Sequence, residues 1–182
     1  MKKILFISHD ANRAGGQIVL LQLLRQLKQQ GLPMHLLLCS DGPLEEEFRE
    51  VVPTTRLPRL GDVHFSPLVT KVLRLVGWEE RIKYRVLAKR WAQFRVEIEA
   101  QDIGLIFANT IAAAAAYRHL GFLSVPTVLF AHELEMSIKK YSHPDDMAHL
   151  MANTNHLIVV SKAVANYFKA TYQYPDFQIS TF

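Results

Sequence analysis

The amino-terminal segment holds an imidazole, a carboxylate and two glycines close together in sequence. His9 and Asp10 follow a short apolar run, residues 4–7, and Gly15 and Gly16 come shortly after them, just before a leucine-rich helical pattern. An apolar run of that length is typical of a strand buried on both faces. Backbone N–H groups at the start of a helix attract anions, and glycine lets a phosphate approach them closely. This segment therefore predicts a strand, a glycine loop and a helix that together bind a phosphate.

A tight turn without a ligand is the alternative interpretation of the two glycines. Neither G-x-G-x-x-G nor G-x-x-x-x-G-K-[ST] occurs here, so the local sequence alone leaves both interpretations open.

Polar or glycine residues follow short apolar runs at several points along the chain. The candidates are His9, Asp10 and Asn12, the Gly15 and Gly16 pair, Asn109 and Thr110, His132 and Glu133, and Ser161 and Lys162. Ligands of parallel α/β sheets bind outside the carboxyl ends of the strands, and the sheet brings those ends to one edge. We therefore expect these residues to share one site, and their convergence is stronger evidence than any single motif.

Structural roles compete with this interpretation for most of the candidates. Ser161 is well placed to cap the next helix, Asn109 and Thr110 could do the same, and His9 could bond to a backbone carbonyl. His132 beside Glu133 is harder to explain structurally, because a strand end seldom needs both an imidazole and a carboxylate. The pair predicts a catalytic role.

Several other site classes are disfavoured by the sequence. Cys39 is the only cysteine, so neither an intramolecular disulfide nor a cysteine zinc site can form. Position 136 is Met, so H-E-x-x-H does not follow His132, and no G-x-S-x-G elbow exists. No metal and no cofactor are expected. The sequence shows neither a secretory signal nor a run of roughly 20 apolar residues, which predicts a soluble protein in a reducing compartment.

The order of elements predicts an α/β fold. Hydrophobic residues make up 49% of the 182 residues, enough for one domain, 1–182, with a substantial core. Strands are predicted at 4–7, 34–39, 54–57, 103–108, 126–131 and 156–160, and helices at 17–30, 44–51, 67–76, 79–100, 111–120, 147–153 and 162–172. This alternation indicates a Rossmann-like parallel sheet with helices on both faces.

The positive charge is concentrated in one segment. Between Arg56 and Arg95, ten Lys and Arg residues face three acidic residues, a net charge of +7, while the whole chain has a net charge of +4. We call residues 56–95 the basic segment. Aromatic residues are interleaved with its cations, a pattern that favours an anionic membrane surface. The alternative is that Leu87, Trp91 and Phe94 pack in the core while the arginines are merely solvated.

No recognised nucleic-acid module accompanies the positive charge of the basic segment, so nucleic acid is not expected as a partner.

Taken together, these residues resemble the N-terminal half of a family 4 glycosyltransferase with the GT-B fold. The similarity rests on the glycine pair after the first strand, "LLRQLKQQG", "FANT", "VPTVLFAHELE" and "LIVVSKAVANYF". It covers most of the chain except a basic helical insertion at about residues 58–100, a region that varies in such enzymes.

The resemblance implies transfer of a hexose from a nucleotide-sugar donor, with retention at the anomeric carbon and without a metal. It places Gly15 and Gly16 against the donor diphosphate and His132 beside the donor sugar, with Glu133 as a second catalytic candidate. The acceptor side of the cleft is then expected to be formed by His9, Asp10, Asn12, Asn109, Thr110, Ser161 and Lys162. The acceptor is expected to be a sugar or a lipid-linked molecule, as in cell-surface polysaccharide biosynthesis. The expected location is cytoplasmic, at the inner face of the membrane if the basic segment binds lipid.

One departure from the family is large. No glutamate is followed by another eight residues later, so the Glu-x7-Glu motif of the C-terminal donor-binding domain is absent. The chain is therefore expected to be half an enzyme, inactive without that domain. A non-catalytic nucleotide-binding domain and an interaction module are the alternatives.

Overall fold

One seven-stranded parallel sheet organises the chain. The computed structural model describes residues 1–132, 140 and 142–182. The strands run in the order β3-β2-β1-β4-β5-β6-β7. Their bounds are β1 Lys3–Ser8, β2 Met34–Leu38, β3 Thr54–Arg56, β4 Ile103–Asn109, β5 Thr127–Ala131, β6 His156–Val159 and β7 Ile179–Thr181. The six predicted strands are confirmed, and β7 is an additional edge strand that the sequence did not predict.

The central strands are buried on both faces, as their unbroken apolar runs require. Leu5, Phe6 and Ile7 of β1 are almost fully buried, and so are the leucines of β2. In the register of the sheet, Ser8 pairs with Leu38 on one side and with Asn109 on the other. The carboxyl ends of β1 and β4 are thus level, which brings the residues that follow them to one edge.

The helices connect successive strands. Their bounds are α1 Gly15–Gln29, α2 Glu45–Val51, α3 Pro67–Leu75, α4 Glu79–Glu99, α5 Ala114–Tyr117, α6 Pro144–Asn153 and α7 Lys162–Tyr172. Helix α1 begins two residues earlier than predicted, so Gly15 and Gly16 form its first turn and not a preceding loop. Helix α6 also begins earlier, with Pro144 at its first position and the His143 side chain accepting a hydrogen bond from Asp145 N.

Residues 111–120 form a short α-helix between two 3-10 turns, where the sequence predicted one continuous α-helix. The start of this segment explains the difference. Thr110 Oγ1 accepts a hydrogen bond from Ala112 N, and the Thr110 carbonyl accepts one from Ala113 N. These bonds tighten the first turn to 3-10 spacing despite the helix preference of alanine.

Helices cover the two faces of the sheet unequally. On one face, α1 and α2 pack against β1 and β2 through Leu20, Leu24 and Phe48. On the other face, α4 to α7 pack through a larger cluster that includes Phe94, Ile98, Leu150 and Phe168. This arrangement follows from right-handed crossovers that run outward from β1 in both directions. Among the described residues, no helix is both long and apolar enough to span a bilayer.

Candidate functional site

A hydrogen-bond network joins the loop after β1 to the end of β4. His9 Nδ1 lies 3.2 Å from Thr110 Oγ1, and His9 Nε2 lies 3.1 Å from the side-chain nitrogen of Gln17. These contacts bring together residues that are about a hundred positions apart in sequence. The predicted convergence of His9 with Thr110 at one edge of the sheet is therefore seen in the structure.

Asp10 holds this network in place. Its carboxylate accepts hydrogen bonds from Asn12 N, from Asn12 Nδ2 and from the Gln17 side chain. Both carboxylate oxygens are thus engaged, which makes Asp10 an orienting group for Asn12 and Gln17. Sequence reasoning did not identify Gln17, although it is the one polar residue on the buried stripe of α1.

Both ring nitrogens of His9 are engaged. His9 Nε2 lies 3.1 Å from the Gln17 amide nitrogen and 3.4 Å from Asp10 Oδ2, and His9 Nδ1 lies 3.2 Å from Thr110 Oγ1. Thr110 Oγ1 also accepts a hydrogen bond from Ala112 N. These contacts hold the imidazole between α1, Asp10 and the end of β4.

Thr110 occupies a strained backbone conformation. Its φ is 75° and its ψ is 155°, a region that β-branched residues rarely enter. The preceding residue, Asn109, donates through Nδ2 to the Gly16 carbonyl, while its buried Oδ1 finds no hydrogen-bond partner among the described residues. Backbone strain typically costs about 1–3 kcal/mol and persists mainly at functional sites. An unsatisfied buried acceptor costs about as much. Both features therefore make the end of β4 a candidate functional position.

Gly16 lies directly against His132, the residue that follows β5. A Cβ atom added to Gly16 would lie 2.9 Å from both Cε1 and Nε2 of His132 and 3.2 Å from Thr110 Cγ2. A Cβ added to Gly15 would meet nothing within 4 Å. Phe130 supports the imidazole from the sheet, with 5.6 Å between the ring centroids. The two glycines therefore differ: Gly16 makes room for His132, and Gly15 faces open space.

The first turn of α1 is electrostatically suited to an anion. The residue before it, Ala14, cannot cap the helix with its side chain, and no acidic residue lies in the first turn. The N–H groups of this turn are therefore not capped by a side chain, although the Asp10 carboxylate lies nearby and bonds to the Gln17 side chain. An anion at this turn would lie beside His132.

Two candidates lie apart from this cluster. Ser161 accepts a hydrogen bond from Val164 N and caps α7, the structural role that the sequence allowed. Lys162 is the exposed first residue of that helix. Within the part of the chain that the structure describes, no hydrogen bond or ion pair joins either residue to the cluster around His9. Glu133 lies outside the described residues.

Metal ligands are not clustered at this edge. Among residues 1–132, 140 and 142–182, no group of three or more His, Cys, Asp or Glu side chains is arranged to hold a metal ion.

Cys39 follows β2 at the same edge but is not a nucleophile at neutral pH. Burial raises the pKa of its thiol to about 12. Because only the thiolate reacts readily, we expect very slow labelling of the folded protein by 5,5′-dithiobis(2-nitrobenzoic acid) at pH 8 and rapid labelling in denaturant. Equal rates in the two conditions would contradict a partly buried, protonated thiol.

Known proteins with a similar sequence or a similar fold identify the family of this chain. The sequence model described as Glycosyltransferase Family 4 matches residues 13–181. The Anabaena HepE structure, solved with UDP and glucose, aligns over 100% of this chain with a TM-score of 0.62 and 17% identity. A glycosyltransferase from Rickettsia africae aligns over 99% with a TM-score of 0.57 and 14% identity. Arabidopsis thaliana UGT89C1, complexed with UDP-L-rhamnose, aligns over 99% with a TM-score of 0.53 and 14% identity.

These alignments cover only part of each known structure: 44% of the Anabaena chain, 42% of the Rickettsia chain and 51% of the Arabidopsis chain. No curated protein sequence matches this chain significantly. The predicted fold class, a Rossmann-like sheet of the kind that forms the N-terminal half of a GT-B glycosyltransferase, is confirmed by the topology and by these neighbours. Because the family match extends over nearly the whole sequence, this chain belongs to Glycosyltransferase Family 4.

Proposed function

We propose that this chain forms the acceptor-side domain of a glycosyltransferase that transfers a hexose from a nucleotide-sugar donor, with retention and without a metal. The observation that carries the proposal is the contact between Gly16, in the uncapped first turn of α1, and His132. In this contact the uncapped amino terminus of α1, which suits an anion, and an imidazole lie side by side. Those are the two groups needed to hold a diphosphate and the sugar attached to it.

The donor diphosphate would lie over Gly15. The open space at this residue leaves room for a phosphate to approach the backbone N–H groups of the first turn. His132 would then hydrogen-bond the donor sugar or stabilise the charge that develops as the bond to the diphosphate breaks. Glu133, as the next residue along the chain, remains a second catalytic candidate.

The acceptor would bind beside the network around His9. The Thr110 hydroxyl, Asp10 and Asn12 line the same edge. These groups suit the hydroxyls of a sugar, whether free, in a polysaccharide or linked to a lipid. Lys162 and Ser161, at the end of β6, extend the same edge and complete the proposed acceptor side.

A second domain would hold the donor nucleotide. The known structures that align with this chain are about twice as long, and two of them were solved with UDP or a UDP-sugar. In this proposal the catalytic cleft lies between the two domains, so the 182-residue chain alone has little or no transferase activity. The proposed location is the cytoplasm.

Release of nucleotide from a panel of UDP-, GDP- and dTDP-hexoses tests this proposal. We expect turnover when this chain is expressed together with the coding sequence that follows it in its gene, and none from residues 1–182 alone. NMR of the product would show retention of the anomeric configuration. Nucleotide binding without any turnover would favour the alternative of a non-catalytic nucleotide-binding domain and contradict the transferase proposal. Failure to bind any nucleotide would favour an interaction module.

A further inference from the structure

The loop that follows β2 packs through its backbone on the loop that follows β1. We call residues 39–44 the β2–α2 loop. Ala11 N donates to the Asp41 carbonyl at 3.5 Å, and Leu44 N donates to the Ala11 carbonyl at 2.8 Å. Ala11 itself is fully buried. The β2–α2 loop therefore holds the residues around Ala11, which include part of the candidate site.

Gly42 lies at the closest approach of the two loops. A Cβ atom added to it would lie 2.4 Å from both the carbonyl carbon and the carbonyl oxygen of Ala11, and 2.7 Å from Asn12 N. All three are backbone atoms, so they cannot turn aside as the end of a flexible side chain could. Because packed structures do not absorb such an overlap in place, a side chain on Gly42 would have to displace one of the loops.

A turn requirement does not explain this glycine. The glycines with a positive φ among the described residues are Gly31 and Gly77. Gly42 is not in that region, so its φ does not by itself exclude a side chain. The close contact with the neighbouring loop is therefore the reason for a glycine at this position.

One of the crowded atoms, Asn12 N, belongs to the network at the candidate site. It donates to Asp10 Oδ1 at 3.1 Å, and Asn12 Nδ2 donates to Asp10 Oδ2 at 2.6 Å. The same carboxylate accepts a hydrogen bond from Gln17, whose side chain also contacts His9. A shift of the Asn12 backbone would therefore move the partners of the Asp10 carboxylate.

An ion pair provides a second contact between the loop after β1 and the segment after β2. Arg13 Nη2 lies 2.7 Å from Glu47 Oε1 of α2, and Glu47 also pairs with Arg25 of α1 at 2.9 Å. The Arg13 side chain is 63% exposed, so this pair is a weak contact. The loop after β1 is thus held by Gly42 on one side of Asn12 and by Arg13 on the other.

We propose that Gly42 is a positioning residue for the acceptor sugar, and that the Arg13–Glu47 pair supports it. A carboxylate can accept about four hydrogen bonds, so Asp10, whose side chain is 19% exposed, can accept one more from a sugar hydroxyl. By letting the two loops approach, Gly42 places the Asp10 carboxylate and the Asn12 amide for that contact. This inference rests on the proposed function, in which Asp10 and Asn12 lie on the acceptor side.

Titration of the 182-residue chain with methyl hexosides tests the positioning without a donor. We expect methyl α-glucoside, methyl α-mannoside or methyl α-galactoside to shift the NMR signals of the Asn12 backbone and side-chain amides. Gly42→Ala should weaken binding of the responding hexoside by about tenfold or more, the usual contribution of a hydrogen bond to a charged group. The matched control is Gly61→Ala, in the turn Leu60–Asp62, where an added Cβ meets nothing within 4 Å.

The fate of the donor tests the same point in the enzyme that contains this domain. Hydrolysis of the nucleotide-sugar uses water as the acceptor, so it does not require Asp10 to be aligned with a sugar. Gly42→Ala should lower the ratio of transfer, with the responding hexoside as acceptor, to hydrolysis by about tenfold or more. Arg13→Gln, which adds no atom to the crowded contact, should lower the ratio by about threefold. Gly61→Ala should not change it.

A double-mutant cycle with Asp10→Asn separates positioning from a general loss of stability. Asparagine has nearly the size of aspartate but lacks the charge. If Gly42 acts through Asp10, Gly42→Ala should lower the ratio of transfer to hydrolysis little further in the Asp10→Asn background. Two losses that multiply would overturn the proposal.

The other contrary results are equally specific. The proposal is overturned if no methyl hexoside shifts the Asn12 amides, or if Gly42→Ala leaves both the hexoside affinity and the ratio unchanged. An equal fall in transfer and hydrolysis would place the defect on the donor side and would also overturn it. If Gly42→Ala does not fold, Arg13→Gln decides, and an unchanged ratio in that variant is the contrary result. Absence of turnover in the unmodified enzyme would contradict the proposed function, whereas the hexoside titration would still show whether Gly42 positions Asn12.

Discussion

Replacing His132 with alanine is expected to lower kcat/KM for sugar transfer by about 100-fold or more in the enzyme that contains this domain. The imidazole follows β5, rests on Phe130 and lies against the first turn of α1. Its position beside the uncapped amino terminus of α1, the proposed diphosphate site, suits contact with the reacting sugar. If it acts mainly on the transition state, kcat should fall with little change in the donor KM.

The control for His132→Ala is His156→Ala. His156 begins the neighbouring strand, at the other end of the sheet, and bonds to Ser180 Oγ at 2.8 Å. Its removal should leave the kinetics unchanged. A loss of less than about threefold in His132→Ala, with the melting temperature preserved, would contradict the catalytic role, since a lost transition-state hydrogen bond normally costs far more.

Gly16→Val is expected to abolish turnover or to raise the donor KM strongly while the domain remains folded. Any side chain at this position meets the imidazole of His132 and the methyl group of Thr110. Displacing a catalytic group by about 1 Å can reduce the rate by about 100-fold. Gly16→Ala should therefore already lower kcat. Because alanine is a better helix former than glycine by about 1 kcal/mol, the loss should not come from unfolding of α1.

Gly15→Ala is the matched variant. The added methyl group meets no protein atom, so the melting temperature should not fall. Its effect should appear instead in the donor KM, since the methyl group would occupy the space proposed for the diphosphate. Unchanged kinetics in both glycine variants would contradict the proposed donor site.

A double-mutant cycle distinguishes the two ways in which Gly16 could act. If Gly16 matters because it gives His132 its position, Gly16→Ala combined with His132→Ala should be no worse than His132→Ala alone. If Gly16 matters only through close approach of the diphosphate, the two losses should multiply. The structure predicts the first result, because an added Cβ would lie only 2.9 Å from the imidazole.

The strained end of β4 contacts both His9 and the first turn of α1. Thr110 has a positive φ, and Asn109 keeps one buried oxygen without a partner among the described residues. Thr110 contacts His9, and a Cβ on Gly16 would meet Thr110 as well as His132. Three strand ends thus share one small cluster, so a change at any of them should disturb the others.

Much of the fold was determined by the sequence alone. Short runs of four to six residues, apolar in all but the third strand, predicted the strands, and leucines at helical spacing predicted α1. A strand buried on both faces gives a continuous apolar run, whereas a helix buried along one stripe gives apolar residues three or four positions apart. The ends of elements were less well determined. Helix α1 includes Gly15 and Gly16, and the alanine-rich helix is broken into shorter turns, because side-chain and backbone hydrogen bonds at Thr110 override the propensity of alanine.

The edge strand β7 was not predicted, because residues 179–181 are too few to show a period. Residues 179–181 form a strand because they pair with β6, a tertiary contact that the local sequence does not reveal.

For the site, the sequence determined which residue types follow the strands, and the tertiary structure decided what each of them contacts. Nothing near Gly16 in the sequence indicates that it makes room for His132, a residue more than a hundred positions away. Nor does the sequence show that Gln17 bridges His9 and Asp10, or that α3 is exposed while Trp91 is packed. The physical reason is the same in each case. Secondary structure follows from local periodicity, whereas close approach and exposure depend on which segments the parallel sheet brings together.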